Sequence, residues 1–505
     1  MTDVILAKLE TRESEVERHK FSAPFGILFL ADALEKAGFS VRLMHEEGSK
    51  ANIQALVSLV AEEKPFLVGL STFTAPSILP TIRASVAIKE AGDVPIVWGG
   101  YHPTITPEQT LMNDFIDLVV IGEGERTLVE LAGCVRRHGL DPQELAKVAG
   151  IGFKDGGRAV FTQARPFIQN LDSVYPAWHH LDIERYILSG DYFYSGLGGG
   201  KVIAHMTSRG CPWRCGYCFN QAVNKRHFRA QSAQRAIDDI RDLRDRFGIS
   251  GVLFEDDNFF TDKTRAFEIV RNIDLPWAST MRADTIAKGG EAFAEALAQA
   301  NCVELRFGAE SGSPRVLDLL TKDITVEQIR ESARLCGKYG IKAVYMFLHG
   351  FPGETWEDIC RTLDLIDELE AMNEQVIVSH LGFFAPFPGT PLFDEAVEAG
   401  FEPPTSLAGW GAPMGEIARK DGKLPPYVDK RARSLSYYRH LASRTDLDEV
   451  RFSLPVKALQ RVAKLRWEHR FFSFPVDHTL PVTAGRMLDK WGMLALRRAL
   501  YARRL

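Results

Sequence analysis

The sequence predicts two α/β units in series: a doubly wound (Rossmann-like) parallel sheet, then a partial (β/α)6 barrel, with a helical C-terminal segment after them. Three observations carry this. A chain of 505 residues is too long for a single core. Short apolar runs alternate with helical patterns through two separate stretches, as parallel sheets covered by helices require. The alternation lapses between them and again near the end. The resulting divisions are 1–145, a linker with a hairpin at 146–198, the barrel at 199–412 and a basic, mainly helical domain at 413–505.

In the first unit the runs at 4–9, 40–45, 66–72, 94–100 and 117–125 read as strands. Residues 25–38, 52–63, 77–92 and 107–113 carry apolar side chains at helical spacing between them. Ligands of such sheets sit beyond the carboxyl ends of the strands. Small and polar residues gather at three of those ends: Ser71, Thr72 and Thr74; Gly99, Gly100 and His102; Gly122, Glu123 and Gly124. Glycine there lets a bulky ligand approach the backbone. A hairpin is expected to turn at Asp155–Gly156–Gly157, and a proline-punctuated connection follows. The barrel strands are expected at 202–210, 251–258, 277–284, 302–311, 342–350 and 376–386, with helical patterns between them. In a β/α barrel the active face is built from strand C-termini and the loops after them.

Composition is that of an ordinary globular protein, 45% hydrophobic and 25% charged. The N-terminus lacks the basic start and apolar run of a secretory signal, and no apolar stretch approaches a membrane span of about 20 residues. Both point to a cytoplasmic protein, with no feature pointing to nucleic acid. The net charge of -5 conceals an asymmetry. Residues 420–505 carry 19 Lys and Arg against 8 Asp and Glu. A solvated face with ion pairs to the acidic body is one reading, and contact with anionic lipid, substrate or another domain is the other.

Of seven cysteines, Cys211, Cys215 and Cys218 fall within "SRGCPWRCGYCFNQ" (208–221), just after the first barrel strand. Cys134, Cys302, Cys336 and Cys360 are scattered singly; the last three sit in apolar patterns and read as core. A tight cluster in a large chain points to metal or redox chemistry. Three thiolates at C-x-x-x-C-x-x-C spacing can hold three corners of a cubane iron–sulfur cluster and leave the fourth iron open. A structural zinc site would need a fourth ligand. His227 is the nearby candidate, and the residues before it do not look like a finger.

These cysteines, with aromatic Tyr217 before the last, resemble the radical S-adenosylmethionine superfamily. "FGAESGS" (307–313), "HGFPGET" (349–355) and "APFPGTPLF" (385–393) resemble further motifs of the subgroup that carries a cobalamin domain. The resemblance implies a 4Fe-4S cluster on Cys211, Cys215 and Cys218, whose open iron chelates S-adenosylmethionine. It further implies a small-molecule substrate and an external one-electron reductant, flavodoxin or ferredoxin. Tyr217, Glu310 and Ser311 become candidate adenosylmethionine contacts. Glu255 to Asn258 could cap the next helix or bind the methionine moiety, with Glu255 and Asp257 the chosen contacts. Arg282 and Arg306 could pair with a ligand carboxylate or with those acids.

The first unit then resembles a cobalamin-binding domain, with the three strand-end groups as its contacts. A domain that kept this fold without the cofactor is the alternative. The D-x-H-x-x-G loop of relatives is missing after the first strand. "LMHEEG" (43–48) follows the second strand instead, so His45 is read as an ordinary strand histidine and cobalamin as held without a protein histidine. The activity implied is methylation of an unactivated carbon or a phosphorus centre. Oxidative cyclisation or rearrangement, as in anaerobic tetrapyrrole ring cyclases, is the alternative, and a non-enzymatic redox or cobalamin sensor is a third reading.

Overall fold

The computed structural model describes residues 2–11, 22–189, 200–412, 423–443 and 454–473. Its first sheet takes β1 (Val4–Glu10), β2 (Val41–Glu47), β3 (Leu67–Ser71), β4 (Ile96–Gly99) and β5 (Leu118–Val120) in parallel, and adds β6 (Ile151–Asp155) and β7 (Arg158–Phe161). The spatial order is β2-β1-β3-β4-β5-β6-β7. The expected hairpin forms, and its strands run antiparallel onto β5 and extend this sheet. Order reverses at β1 and β3, which places the crevice for a ligand above β1, β3, β4 and β5. Strands buried on both faces explain the unbroken apolar runs: Val4, Ile5, Leu6 and Ala7 are all at most 1% exposed.

The connection after β7 straps across the first domain. The Ala177 N–H donates to the Leu28 carbonyl (3.2 Å), and Trp178 meets Phe25 edge to face at 5.8 Å. β8 (Leu188–Ser189) then pairs antiparallel with β9 (Lys201–His205). β10 (Ser208–Arg209) and β11 (Arg229–Ala230) form a small antiparallel pair. β12 (Gly251–Phe254), β13 (Trp277–Thr280), β14 (Cys302–Glu310), β15 (Lys342–His349) and β16 (Val376–Phe383) complete the second sheet. Its order, β16-β15-β14-β13-β12-β9-β8, is parallel over six strands, an open barrel in sequence order. All six expected barrel strands and all five expected strands of the first sheet are present.

The C-terminal segment covers the open edge at β16, as an exposed edge requires. The Ser436 hydroxyl donates to the Leu381 carbonyl of that strand (2.5 Å). The helix Leu454–Glu468 packs toward the helix Trp356–Met372. The Trp467 indole donates to Asp367 (2.7 Å), Arg470 pairs with Asp364 and Asp367, and Arg439 pairs with Glu370. The positive charges of this segment thus meet acids of the helix that precedes the barrel's last strand. Trp467 and Phe472 are buried, whereas Phe471 is 52% exposed; Phe474 lies outside the described residues. Among the described residues no helix is long and apolar enough to cross a membrane.

Candidate active site

The cysteine loop is fastened at its base. At Gly210 φ is 82°, and an added Cβ would sit 2.1 Å from the His227 carbonyl oxygen, so only glycine fits. Asp256, beyond the end of β12, accepts from the Thr207 N–H (3.2 Å) and hydroxyl (2.8 Å) and from the Ser208 hydroxyl. Asp257 accepts from the Gly210 N–H (2.8 Å). Within the loop Cys215 is buried, and Cys211 and Cys218 are half-buried. Burial pushes the Cys211 thiol up and the Cys218 thiol up to about 12, so both keep their protons until a metal displaces them. Three soft sulfur donors on one short loop fit an iron–sulfur cluster. The His227 ring lies against Phe167 at 5.6 Å.

Behind the thiols the loop is tied to the barrel. The Gly216 N–H donates to the Leu320 carbonyl (2.8 Å), and its carbonyl accepts from the Leu392 N–H of the "APFPGTPLF" stretch (3.0 Å). Tyr217 donates to Glu310 (2.7 Å), and Lys322 donates to both Tyr217 (2.9 Å) and Glu310 (2.9 Å). Glu310 sits where the register shifts in β14, at φ 63°, a conformation non-glycine residues hold only when the surroundings impose it. Gly308 makes room: a Cβ there would lie 2.3 Å from the Glu310 carboxylate. Burial opposes the Lys322 charge, yet the Glu310 carboxylate and Cys215 outweigh it and hold the ammonium above the usual lysine value. Burial pushes Glu354, in "HGFPGET", up to about 8; the Gly350 N–H donates to it (2.6 Å).

Between the two sheets lies a cavity of about 430 Å³. One wall comes from the strand ends of the first domain, including Ser71, Thr72, Gly99, Gly100, Gly122 and Gly124. The other comes from the barrel mouth, including Ala204, Met206, Arg209, Glu255 and Asp257. Two features of the first wall fit a large planar cofactor such as cobalamin. Gly122, at φ 80°, and Gly99 leave open space at their strand ends, since a Cβ would meet nothing within 4 Å at Gly122 and nothing nearer than 3.8 Å at Gly99. The Thr72 hydroxyl is buried without a protein partner, which a ligand group would relieve. On the opposite wall Glu255 and Asp257 face open cavity space with protein around them, and burial raises both carboxyls above the usual range.

A buried charge network joins the walls. Arg209, two residues before Cys211, forks to Glu123 (2.9 Å) and Glu125 (2.6 Å). Glu123 also binds Arg229 (2.6 Å) and the Ile168 N–H (2.7 Å). The Arg209 guanidinium lies 4.7 Å over Phe29. Phe219, after Cys218, meets Tyr101 (5.0 Å) and Phe73 (5.9 Å) of the first domain. The cysteine loop and the cavity loops are therefore one packed unit.

Some expected contacts turn elsewhere. Thr74 and His102 bond to each other (3.1 Å) and do not line the cavity. The other His102 nitrogen meets Thr106 (3.1 Å), and burial lowers this histidine to about 4. Ser311 is fully buried, paired with Thr362 (2.9 Å) and accepting from the Ser313 N–H (3.1 Å), so it shapes the turn after β14. The strand-two acids do not cap the next helix, which Asp262 caps. Arg282 does not pair with those acids. It binds Asp284 (2.9 Å), stacks over Trp213 (3.8 Å) and approaches the Cys215 sulfur at 3.9 Å. Arg306 pairs with Glu304 (2.9 Å), and its charge also acts on Glu255 of the strand-two acids, opposing the rise that burial causes there. His45 bonds to Tyr186 (3.0 Å) and lies 3.4 Å from Glu10, away from the cavity. Lys322, Arg209, Phe73 and Tyr101 escaped sequence reasoning; a lysine inside the apolar "VLDLLTKDI" was the one local signal.

A family model described as the radical SAM superfamily matches residues 206–366, and one described as a B12 binding domain matches residues 17–132. The uncharacterized methyltransferase PH0819 of Pyrococcus horikoshii is 30% identical over 402 residues, covering 78% of this chain and 83% of that protein. The chain belongs to the radical SAM superfamily and carries a B12 binding domain. The cytidylyl-2-hydroxyethylphosphonate methyltransferase of Streptomyces wedmorensis is 25% identical over 435 residues, covering 75% of this chain and 79% of that one. The anaerobic magnesium-protoporphyrin IX monomethyl ester cyclase of Cereibacter sphaeroides is 26% identical over 381 residues, covering 74% of this chain and 60% of that one. In fold, the chain is similar to the radical S-adenosylmethionine methyltransferase TsrM from Kitasatospora setae, solved with cobalamin and a [4Fe-4S] cluster. The TM-score is 0.65 at 20% identity, over 95% of this chain and 90% of that one.

Proposed function

We propose that this radical SAM enzyme methylates a carbon or phosphorus centre of a small-molecule intermediate, using cobalamin and a second adenosylmethionine. The observation that carries this is the shared cavity: one wall fits a corrinoid, and the other is the barrel mouth, where Arg209 just before the three-cysteine loop and Val223 and Asn224 just after it line the space. When bound, the cluster and cobalamin supply one-electron cleavage of adenosylmethionine and methyl delivery. Cys211, Cys215 and Cys218 would hold the cluster, with Arg282 beside Cys215 offsetting its negative charge. Glu310, ordered by Tyr217 and Lys322, would accept from the amino group of adenosylmethionine. The cavity loops, through Gly99, Gly122 and Thr72, would hold the corrin. Glu255 and Asp257 face whatever lies between and would orient the substrate through hydrogen bonds. The apolar wall, with Phe25, Phe29 and Met206, excludes water that would quench a radical.

Two of the relatives above are named methyltransferases, and the chain spans more of each of them than of the ring cyclase. This favours methyl transfer over cyclisation. Electrons would come from a flavodoxin or ferredoxin. The buried Trp467 and Phe472 favour docking of the basic segment on the barrel over membrane contact. The test is anaerobic reconstitution with hydroxocobalamin, a reductant and methyl-labelled adenosylmethionine, presented with metabolites that accumulate in a deletion strain. A product heavier by one labelled methyl group, about 14 Da before labelling, supports the reading. A product that has lost hydrogen or gained oxygen, with no label, refutes it.

A further inference from the structure

We propose that Glu35, His179 and His180 form a binding site for a divalent transition cation, with zinc the best match, that staples the interdomain strap to the first domain. Glu35 lies in the last turn of the helix Phe25–Lys36, and the two histidines occupy the short 3-10 turn Trp178–His180. The histidines thus approach from a separate segment, over 140 residues away in sequence. One carboxylate nevertheless receives both imidazoles: His180 Nε2 lies 2.8 Å from Oε1 of Glu35, and His179 Nε2 lies 3.1 Å from Oε2. One donor atom from each of the three residues falls within 4.8 Å of the others. In a tetrahedral zinc site with metal–ligand bonds of about 2.0–2.1 Å, neighbouring ligand atoms lie roughly 3.3 Å apart. Small rotations of the three side chains would therefore admit an ion.

The donor set selects the ion class. Two imidazoles and one carboxylate suit zinc and its late first-row neighbours rather than magnesium or calcium, which prefer all-oxygen shells. His179 is 58% exposed at its side chain and His180 only 12%, so the site opens to solvent on one side, where water can complete the shell. The two rings stand 4.4 Å apart, tilted by 37°. Their Nε2 atoms converge on one carboxylate. A single cation satisfies both nitrogens and the carboxylate at once.

The location gives the site its role. The strap that bears His179 and His180 also bears Trp178, which packs against Phe25 on the cavity wall. The Tyr175 N–H of the strap donates to Asp32 (3.3 Å) one turn before Glu35. A cation here fixes the strap to the helix whose Phe25, Gly26 and Phe29 line the cofactor cavity. The site is thus structural and lies apart from the cysteine loop.

The test uses the full-length chain with cluster and cobalamin loaded and any affinity tag removed. It is dialysed against a weak chelator and titrated with zinc sulfate. Elemental analysis, competition with a chromophoric chelator and zinc-edge X-ray absorption are the readouts. Expected is about one zinc per chain, bound through nitrogen and oxygen without sulfur. The affinity should fall at least about tenfold in both Glu35→Gln and the double variant His179→Ala/His180→Ala, as loss of even outer-shell partners costs 10- to 100-fold. Zinc should raise the thermal midpoint of the wild type and not of the double variant. Unchanged circular dichroism and cobalamin content show that the variants fold. No zinc uptake by the wild type, equal uptake by the double variant, or sulfur in the zinc shell would each overturn the proposal.

Discussion

Replacing Arg209 with Met should break the joint between the two domains. In the folded chain Arg209, Glu123, Glu125 and Arg229 are 14%, 13%, 7% and 4% exposed at their side chains, so they behave as a buried network rather than surface pairs. Without Arg209, Glu123 keeps Arg229 and the Ile168 N–H, but Glu125 loses the guanidinium that neutralises it. Removing one partner of a buried pair costs about 3–5 kcal/mol, mostly the cost of the charge left behind. The double variant Arg209→Met/Glu125→Gln should regain part of that loss, because no unpaired charge remains. Equilibrium urea denaturation followed by tryptophan fluorescence measures the effect, and limited proteolysis reports domain separation. The pH dependence has a definite sign. Burial opposes the Glu123 charge, but Arg209, the Ile168 N–H and Arg229 lower its folded pKa. Its contribution is therefore present above the unfolded value of about 4.3 and is lost as pH falls through the lower folded value. The joint should hold from pH 8 to 5 and loosen only in stronger acid. If Arg209→Met shifted stability by less than about 0.5 kcal/mol, as an ordinary surface change does, the reasoning would be refuted.

Further outcomes are open to direct measurement. Cys215→Ala should lose cluster iron and reductive cleavage of adenosylmethionine, since an open cubane corner leaves the cluster labile; full iron content with intact cleavage would contradict the site. His45→Ala should leave the visible spectrum of bound hydroxocobalamin unchanged, because its nitrogens meet Tyr186 and Glu10, and a nitrogen superhyperfine coupling lost in that variant would contradict this. Truncation after residue 415 should expose the β16 edge and strip Trp467 and Phe472 from the barrel, each worth roughly 1.5–3 kcal/mol of burial. Poor solubility or lost turnover with cobalamin binding retained is expected. A soluble, fully active truncation that merely stopped co-sedimenting with anionic vesicles would overturn docking.

The strands were legible because a doubly covered parallel sheet leaves a local trace, an apolar run of four to eight residues bounded by turn residues. The cysteine loop was legible for a similar reason, since its three donors lie within eight positions. Side-chain direction left no such trace. Thr74 and His102 sit at strand ends as expected, yet they turn toward each other and away from the cavity. The hairpin at Gly156 was visible, but its attachment to β5 depends on a pairing that no local pattern records.

Long-range charge pairing was the least legible feature, and at this site it matters most. Nothing in "IGEGE" or "SRGC" says that Glu123 and Arg209 will meet across 86 positions. That meeting changes the meaning of Glu123. A strand-end acid expected to touch a cofactor sits in the cavity wall while its charge is held by Arg209 and Arg229. Arg209 in turn lies two residues from the first thiol. The residues that shape the first domain's side of the cavity are thereby bound to those that position the cysteine loop. Buried ion pairs add little net stability against an apolar alternative, but they strongly disfavour misaligned arrangements that leave a charge unpaired. This network therefore serves alignment, holding the two cofactor sites in one register across a domain boundary that apolar packing alone would specify less sharply.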